Sequence, residues 1–103
     1  MNDPSAAPLV VRRDAVSRFE VELEGLVSVI DYRVEGQRLL LPSVRVPPAL
    51  EGRGIAAALT RAALDWAREQ SMTVVPICPY VVAWLKRHPE YNDVLTAAPA
   101  ANR

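Results

Sequence analysis

The chain has 103 residues, half of them apolar and 23 % charged, with twelve basic and twelve acidic side chains in balance. That is room for one domain whose core needs no metal or disulfide staple. The even charge excludes a protein whose main business is neutralising a nucleic-acid backbone, which takes a surplus of lysine and arginine. Cys78 stands alone and can make no internal disulfide, so nothing points to an oxidising compartment. No stretch reaches the ~18 to 20 apolar residues of a membrane span. The opening Met1–Pro8 has neither the basic start nor the apolar core of a secretory signal, and a cytoplasmic location is the expectation. Residues 1–8 and 96–103 are Ala/Pro/polar stretches that read as fraying tails, which leaves 9–95 as the domain.

From Phe19 the sequence alternates, with Phe19, Val21 and Leu23 against Glu20, Glu22 and Glu24. Period two with one charged face predicts a half-buried antiparallel strand. Glu24-Gly25 turns, and a second strand follows over Leu26–Val34, with Ser28, Ile30 and Tyr32 on one side. Glu35-Gly36 turns again into a third strand over Arg38–Val46. Pro42 falls inside it, and because proline cannot donate to a ladder, a bulge or an exposed edge is expected there. Residues 47–54 form a turn segment, and Ile55–Gln70 reads as a helix, with Ile55, Leu59, Ala62 and Trp66 on one side and Arg61, Asp65, Arg68 and Glu69 on the other. Thr73–Ile77 is short and β-branched, a buried strand, and Cys78-Pro79 opens a second helix that Pro89 ends. Tyr91–Leu95 adds a last short turn. The expected fold class is α/β (α+β): a mixed sheet of three antiparallel strands followed by a helix-strand-helix unit, whose strand lies parallel to the third.

The chemistry centres on Gly52-Arg53-Gly54, between a strand and the start of the long helix. A helix start offers unpaired N–H groups and partial positive charge, and glycines let phosphates approach the backbone. The plain alternative is a glycine turn that only starts a helix. A P-loop needs Gly-Lys-Ser/Thr, and here Gly54 is followed by Ile55-Ala56. The dinucleotide fingerprint is formally met by Gly52, Gly54 and Ala57, but it should follow the first strand of a parallel sheet and have an acid ~20 residues on. Three antiparallel strands come first, and Thr73–Tyr80 contains no acid.

The segment Glu51-Gly52-Arg53-Gly54-Ile55-Ala56 resembles the pyrophosphate motif Gln/Arg-x-x-Gly-x-Gly/Ala of the GNAT acetyltransferases. Val44–Pro48, Ala63-Leu64-Asp65, Ala67-Arg68, Pro76–Val81 and Arg87–Tyr91 extend the likeness to the smallest members of that family, over about Arg18–Leu95. The resemblance implies acetyl-CoA in a cleft where two parallel strands splay, held by Val44, Val46, Gly52, Arg53, Gly54, Ile55 and Ala56. It implies acetyl transfer to an amine of unknown identity, small or on a small protein. It implies no metal, and the expected state is a monomer or weak dimer without nucleic-acid or membrane partners. Four positions depart from the pattern. Glu51 stands where Gln or Arg is usual, Pro42-Ser43 where small relatives carry His-Thr, and Trp84 where larger enzymes often carry an acidic Tyr. The binding half of the pattern is therefore better preserved than the catalytic half.

Cys78 precedes a helix, where the dipole favours a thiolate, although a free cysteine more often packs as a small hydrophobe. The resemblance places it near the acetyl group, as a nucleophile or as a wall. Tyr80 is the candidate general acid toward the departing thiolate, with simple packing as the alternative. His88, the one imidazole, is expected to cap the second helix; one His and one Cys make no metal site. Trp66 and Trp84 read as core. The acidic face of the first strand reads as solvated, or less readily as a holder of a cationic amine. Besides acetyl transfer, the sequence supports a non-catalytic acyl-CoA-binding or interaction module, or a thiol redox sensor built on an exposed Cys78.

Overall fold

Alternation along Arg18–Leu23 has the consequence that its pattern requires: Phe19 and Val21 are 5 % and 2 % exposed, whereas Glu22 faces solvent. The computed structural model describes residues 8–95. Its strands are β1 (Val11–Arg13), β2 (Arg18–Leu23), β3 (Leu26–Glu35), β4 (Arg38–Arg45) and β5 (Thr73–Pro76), in the spatial order β1-β2-β3-β4-β5. The helices are α1 (Ile55–Glu69), α2 (Pro79–Lys86) and the one-turn α3 (Asn92–Leu95). Single 3-10 turns lie at Asp14–Val16, Pro48–Leu50 and Pro89–Tyr91. The expected tails, 1–8 and 96–103, fall outside the described residues except for Pro8.

The sheet corrects one expectation. It has five strands: β1 to β4 are antiparallel neighbours and β5 runs parallel to β4, where three antiparallel strands before the helix were expected. The extra strand is β1, which pairs Val11 with Glu20 and Arg13 with Arg18. Three residues, two of them arginine, show no alternation, so only the pairing with β2 makes them a strand. Pro42 sits in the expected bulge. Asp31 faces Ser43 and Arg33 faces Leu40, so Leu41 and Pro42 together oppose the single residue Tyr32.

Phe19, Val21, Ile30, Leu39 and Leu41 share one face, and they form one cluster with Leu59, Ala63 and Leu64 of α1 and Val81, Trp84 and Leu85 of α2. Both long helices therefore cover the same side of the sheet. The other side carries ion pairs, Arg13 and Arg18 on Glu20, Arg33 and Arg38 on Glu35, and Arg45 on Asp31. This is the half-solvated antiparallel arrangement that the acidic alternation predicts.

Trp84 is buried. Trp66 is half-buried; it packs on Tyr32 at 5.0 Å and Phe19 at 5.8 Å, with the Arg12 guanidinium 4.6 Å above its ring. His88 closes α2: its Nδ1 donates to the Trp84 carbonyl at 2.8 Å and its ring stacks on the indole at 3.7 Å. Arg68 ties α1 to α3 and the turn before it, donating to both oxygens of Asp93, at 2.8 and 2.6 Å, and to the Glu90 carbonyl.

Candidate functional site

The site begins where β4 and β5 part. They pair in register from Arg38 opposite Thr73 to Leu41 opposite Pro76. The Leu41 carbonyl then accepts both the Ile77 N–H (3.2 Å) and the Cys78 N–H (3.0 Å). Beyond that point Pro79 starts α2 and draws the chain away, while β4 continues to Arg45. The two prolines act together: Pro42 shifts the β4 register against β3, and Pro79 ends the extended chain after β5. The edge of β4 past the bulge is left without a strand beside it.

Above that free edge lies the glycine turn. Gly52 and Gly54 have φ of 83° and 80°, the left-handed region that a residue with a Cβ rarely adopts. Gly54 is the N-cap of α1, with no side chain capping the helix and no acidic residue in its first turn. The first intrahelical bond there runs from the Ala58 N–H to the Gly54 carbonyl at 3.0 Å. The N–H groups of Ile55, Ala56 and Ala57 precede it, and a helix start leaves such groups to water or to an anion.

Turn, helix start and free β4 edge line one open cleft of about 970 Å³, within the roughly 300–1,000 Å³ typical of small-molecule sites. Of the residues expected to hold a ligand, Val44, Val46, Gly52, Gly54, Ile55 and Ala56 line it, and so does Tyr80 from the first turn of α2. Arg53 does not line the cleft; its guanidinium turns away to Glu24, with N–O distances of 2.6 and 3.4 Å. Cys78 does not line it either. The thiol carrier is 7 % exposed, belongs to the core cluster, and bonds through its backbone to Leu41 and Val82. Six of the seven residues expected to hold a ligand thus share the cleft with Tyr80, while Cys78 lies in the core.

Arg18, Val27, Val29, Arg45, Pro47, Leu50 and Ala57, none of them among the residues expected to hold a ligand, also line the cleft, as does Glu51 at the head of the pyrophosphate-like motif. The alternation of β3 carries a signal for Val27 and Val29, which sit opposite Ser28 and Ile30 in the pleat. Arg18 and Arg45 reach the cleft only because β2, β3 and β4 lie side by side. Both are engaged: Arg18 with Glu20 at 2.6 Å and Arg45 with Asp31 at 3.2 Å. The hydrogen bond from Arg18, more than any other contact, holds the Glu20 carboxyl below its ordinary range. Burial raises the phenol of half-buried Tyr80 above its ordinary value. Among the described residues no cluster of three or more His, Cys, Asp or Glu could hold a metal ion, and no helix is long and apolar enough to cross a membrane.

Two parallel strands that part beneath an uncapped helix start, with a glycine turn at the mouth, define a small mixed α/β domain with its cleft at a strand–helix junction. Residues 18–94 match the profile of the GCN5-related N-acetyl-transferase family, and the chain belongs to that family. It is 36 % identical over 86 residues to Protein NATD1 of Gallus gallus, covering 80 % of this chain and 78 % of that one. The figures against Protein NATD1 of Homo sapiens are 36 % over 86 residues, 80 % and 76 %. Against Protein NATD1 of Xenopus tropicalis they are 32 % over 90 residues, 84 % and 83 %.

Proposed function

We propose that the chain binds acetyl-CoA in the cleft between β4 and α1 and transfers the acetyl group to an amine. The observation that carries this reading is the meeting of the bare start of α1 with the unpaired edge of β4 in one cleft. The first suits a pyrophosphate, because amide donors and the helix dipole favour negative charge without a counter-ion. The second suits the amide-bearing arm of CoA, which can pair with strand backbone, while Val44 and Val46 give its methylenes an apolar wall.

In this reading the amine nitrogen attacks the thioester carbonyl, and an N–H at the end of the parted strand supports the oxyanion. The C–N bond forms as the C–S bond breaks, the amine gives up a proton to solvent, and Tyr80 donates its phenolic proton to the CoA thiolate and regains one from solvent. Tyr80 takes this role because it lines the cleft and carries a phenolic proton. A route through acetyl-Cys78 requires the thiol to leave the core. Cytoplasmic location and a monomeric or weakly dimeric state complete the proposal.

A second reading, acyl-CoA binding without transfer, is favoured by Trp84. The resemblance puts that residue where larger enzymes carry an acid, and here it is a buried indole, 2 % exposed. The two readings part on one experiment. Acetyl-CoA at a hundredfold excess over its dissociation constant should stabilise the protein by about 2.7 kcal/mol, whereas NAD and ATP should do little. Acetyl transfer to a panel of amines, followed by mass, then separates an enzyme from a binder. A melting curve that moves with NAD or ATP but not with CoA overturns both.

A further inference from the structure

The cleft has arginines at its border but offers none of them free. Arg18 is held by Glu20, Arg45 by Asp31 and Arg53 by Glu24. Glu51 lines the mouth and adds another carboxylate. Each guanidinium at the border is thus shared with a carboxylate, and a phosphorylated ligand gains its full charge only by drawing it away. The three pairs are not equal in this respect. Glu20 is 16 % exposed and shared with Arg13, and Asp31 is 27 % exposed and also bonded by the Ser43 hydroxyl. The pair of Glu24 and Arg53 is 58 % and 45 % exposed, and exposed pairs are the weakest. Arg53 also lies between Gly52 and Gly54, both of which line the cleft.

The turn that carries Glu24 makes the same point independently. Leu23 pairs with Leu26, so Glu24-Gly25 is a two-residue hairpin loop, and both residues have positive φ, 55° and 76°. Such a loop favours Asn-Gly, Asp-Gly or Gly-Gly. A glutamate in the left-handed position is unfavourable for the turn itself, and what it gains is reach: its carboxylate meets Arg53 across the gap between hairpin and helix.

We propose that the Glu24–Arg53 pair is a latch on the cleft: Glu24 holds Arg53 off the mouth in the empty protein, and a phosphate of the bound ligand takes the guanidinium over. This rests on the acyl-CoA reading above. The latch makes the β2–β3 hairpin part of the binding equilibrium and lowers the affinity for anions by the strength of one ion pair.

The test is a double-mutant cycle with CoA as the probe, followed by calorimetry on the wild type, E24Q, R53Q and the double variant, each checked for folding by circular dichroism. E24Q is expected to bind CoA about threefold tighter, the scale of one exposed ion pair. R53Q should bind more weakly, and the double variant should match R53Q, since Glu24 acts through Arg53. Pantetheine, which has no phosphate, should bind all four alike. If E24Q tightens binding equally in the R53Q background, Glu24 merely repels the ligand and the latch is wrong. Unchanged or weaker binding by E24Q alone also overturns it while leaving the acyl-CoA reading intact. If neither the wild type nor any variant binds CoA, the reading of the cleft falls, and the latch falls with it.

Discussion

Replacing Gly54 by alanine separates the fold from the site. A Cβ built at Gly54 meets nothing within 4 Å, so there is no clash to relieve. The cost is that of holding an L-residue at φ 80°, about 1–2 kcal/mol. At roughly 4–8 °C of Tm per kcal/mol for a domain of this size, the melting point should fall by about 4–16 °C with the fold intact. Binding should suffer separately. The new methyl group stands on a cleft-lining residue at the N-cap of α1, where phosphate must approach amide N–H groups closely. Loss of one such charge-assisted hydrogen bond, about 1.5 kcal/mol or more, is about tenfold in affinity. Gly36 supplies the control. It has φ 62°, has equally open space for a Cβ, and sits between β3 and β4 without lining the cleft. Gly36→Ala should lower the Tm by a similar amount and leave CoA affinity alone. Melting curves and calorimetric titrations of the two variants decide the matter. Equal CoA affinity in Gly54→Ala and wild type would show that the phosphates sit somewhere other than the start of α1.

Three further outcomes follow from the same geometry. Tyr80→Phe should keep CoA binding while slowing transfer, and because burial raises the phenol pKa, loss of activity through its deprotonation should come at higher pH than for a free tyrosine; an unchanged rate would remove Tyr80 from the mechanism. Cys78 is 7 % exposed, so iodoacetamide should label it more slowly than a small free thiol and faster in mild denaturant; rapid labelling of the native protein that CoA blocks would return the thiol to the site. Arg68 holds the Asp93 carboxyl below its ordinary range, a depressed folded-state pKa, so the pair's stabilisation is present above the unfolded value of about 3.9 and lost as pH falls through the lower folded value. Asp93→Asn should accordingly lower the Tm at pH 7 and make no difference in strong acid; a constant difference across the titration would show that the contact matters for packing and not for charge.

The sequence by itself determined the local elements whose cause is local. Alternation at Phe19–Glu24 made a strand because a pleat puts every second residue on the same face. Apolar spacing from Ile55 made α1, and Pro42 inside a strand pattern could be accommodated only at a bulge or an edge. It also determined the glycine turn and the family, because Gly52, Gly54 and Ala56 keep their spacing along the chain itself. What only the tertiary structure decided depends on which strands become neighbours. Three residues at Val11–Arg13 carry no period of their own and became a strand by pairing with β2. Val27, Val29, Arg18 and Arg45 joined the cleft because β2, β3 and β4 lie side by side, and Cys78 and Tyr80, two residues apart, were sent to core and cleft by the first turn of α2. Arg53 reads in the sequence as one of the residues that hold the ligand; twenty-nine residues separate it from the glutamate that holds it, and no local pattern announces a contact across that distance.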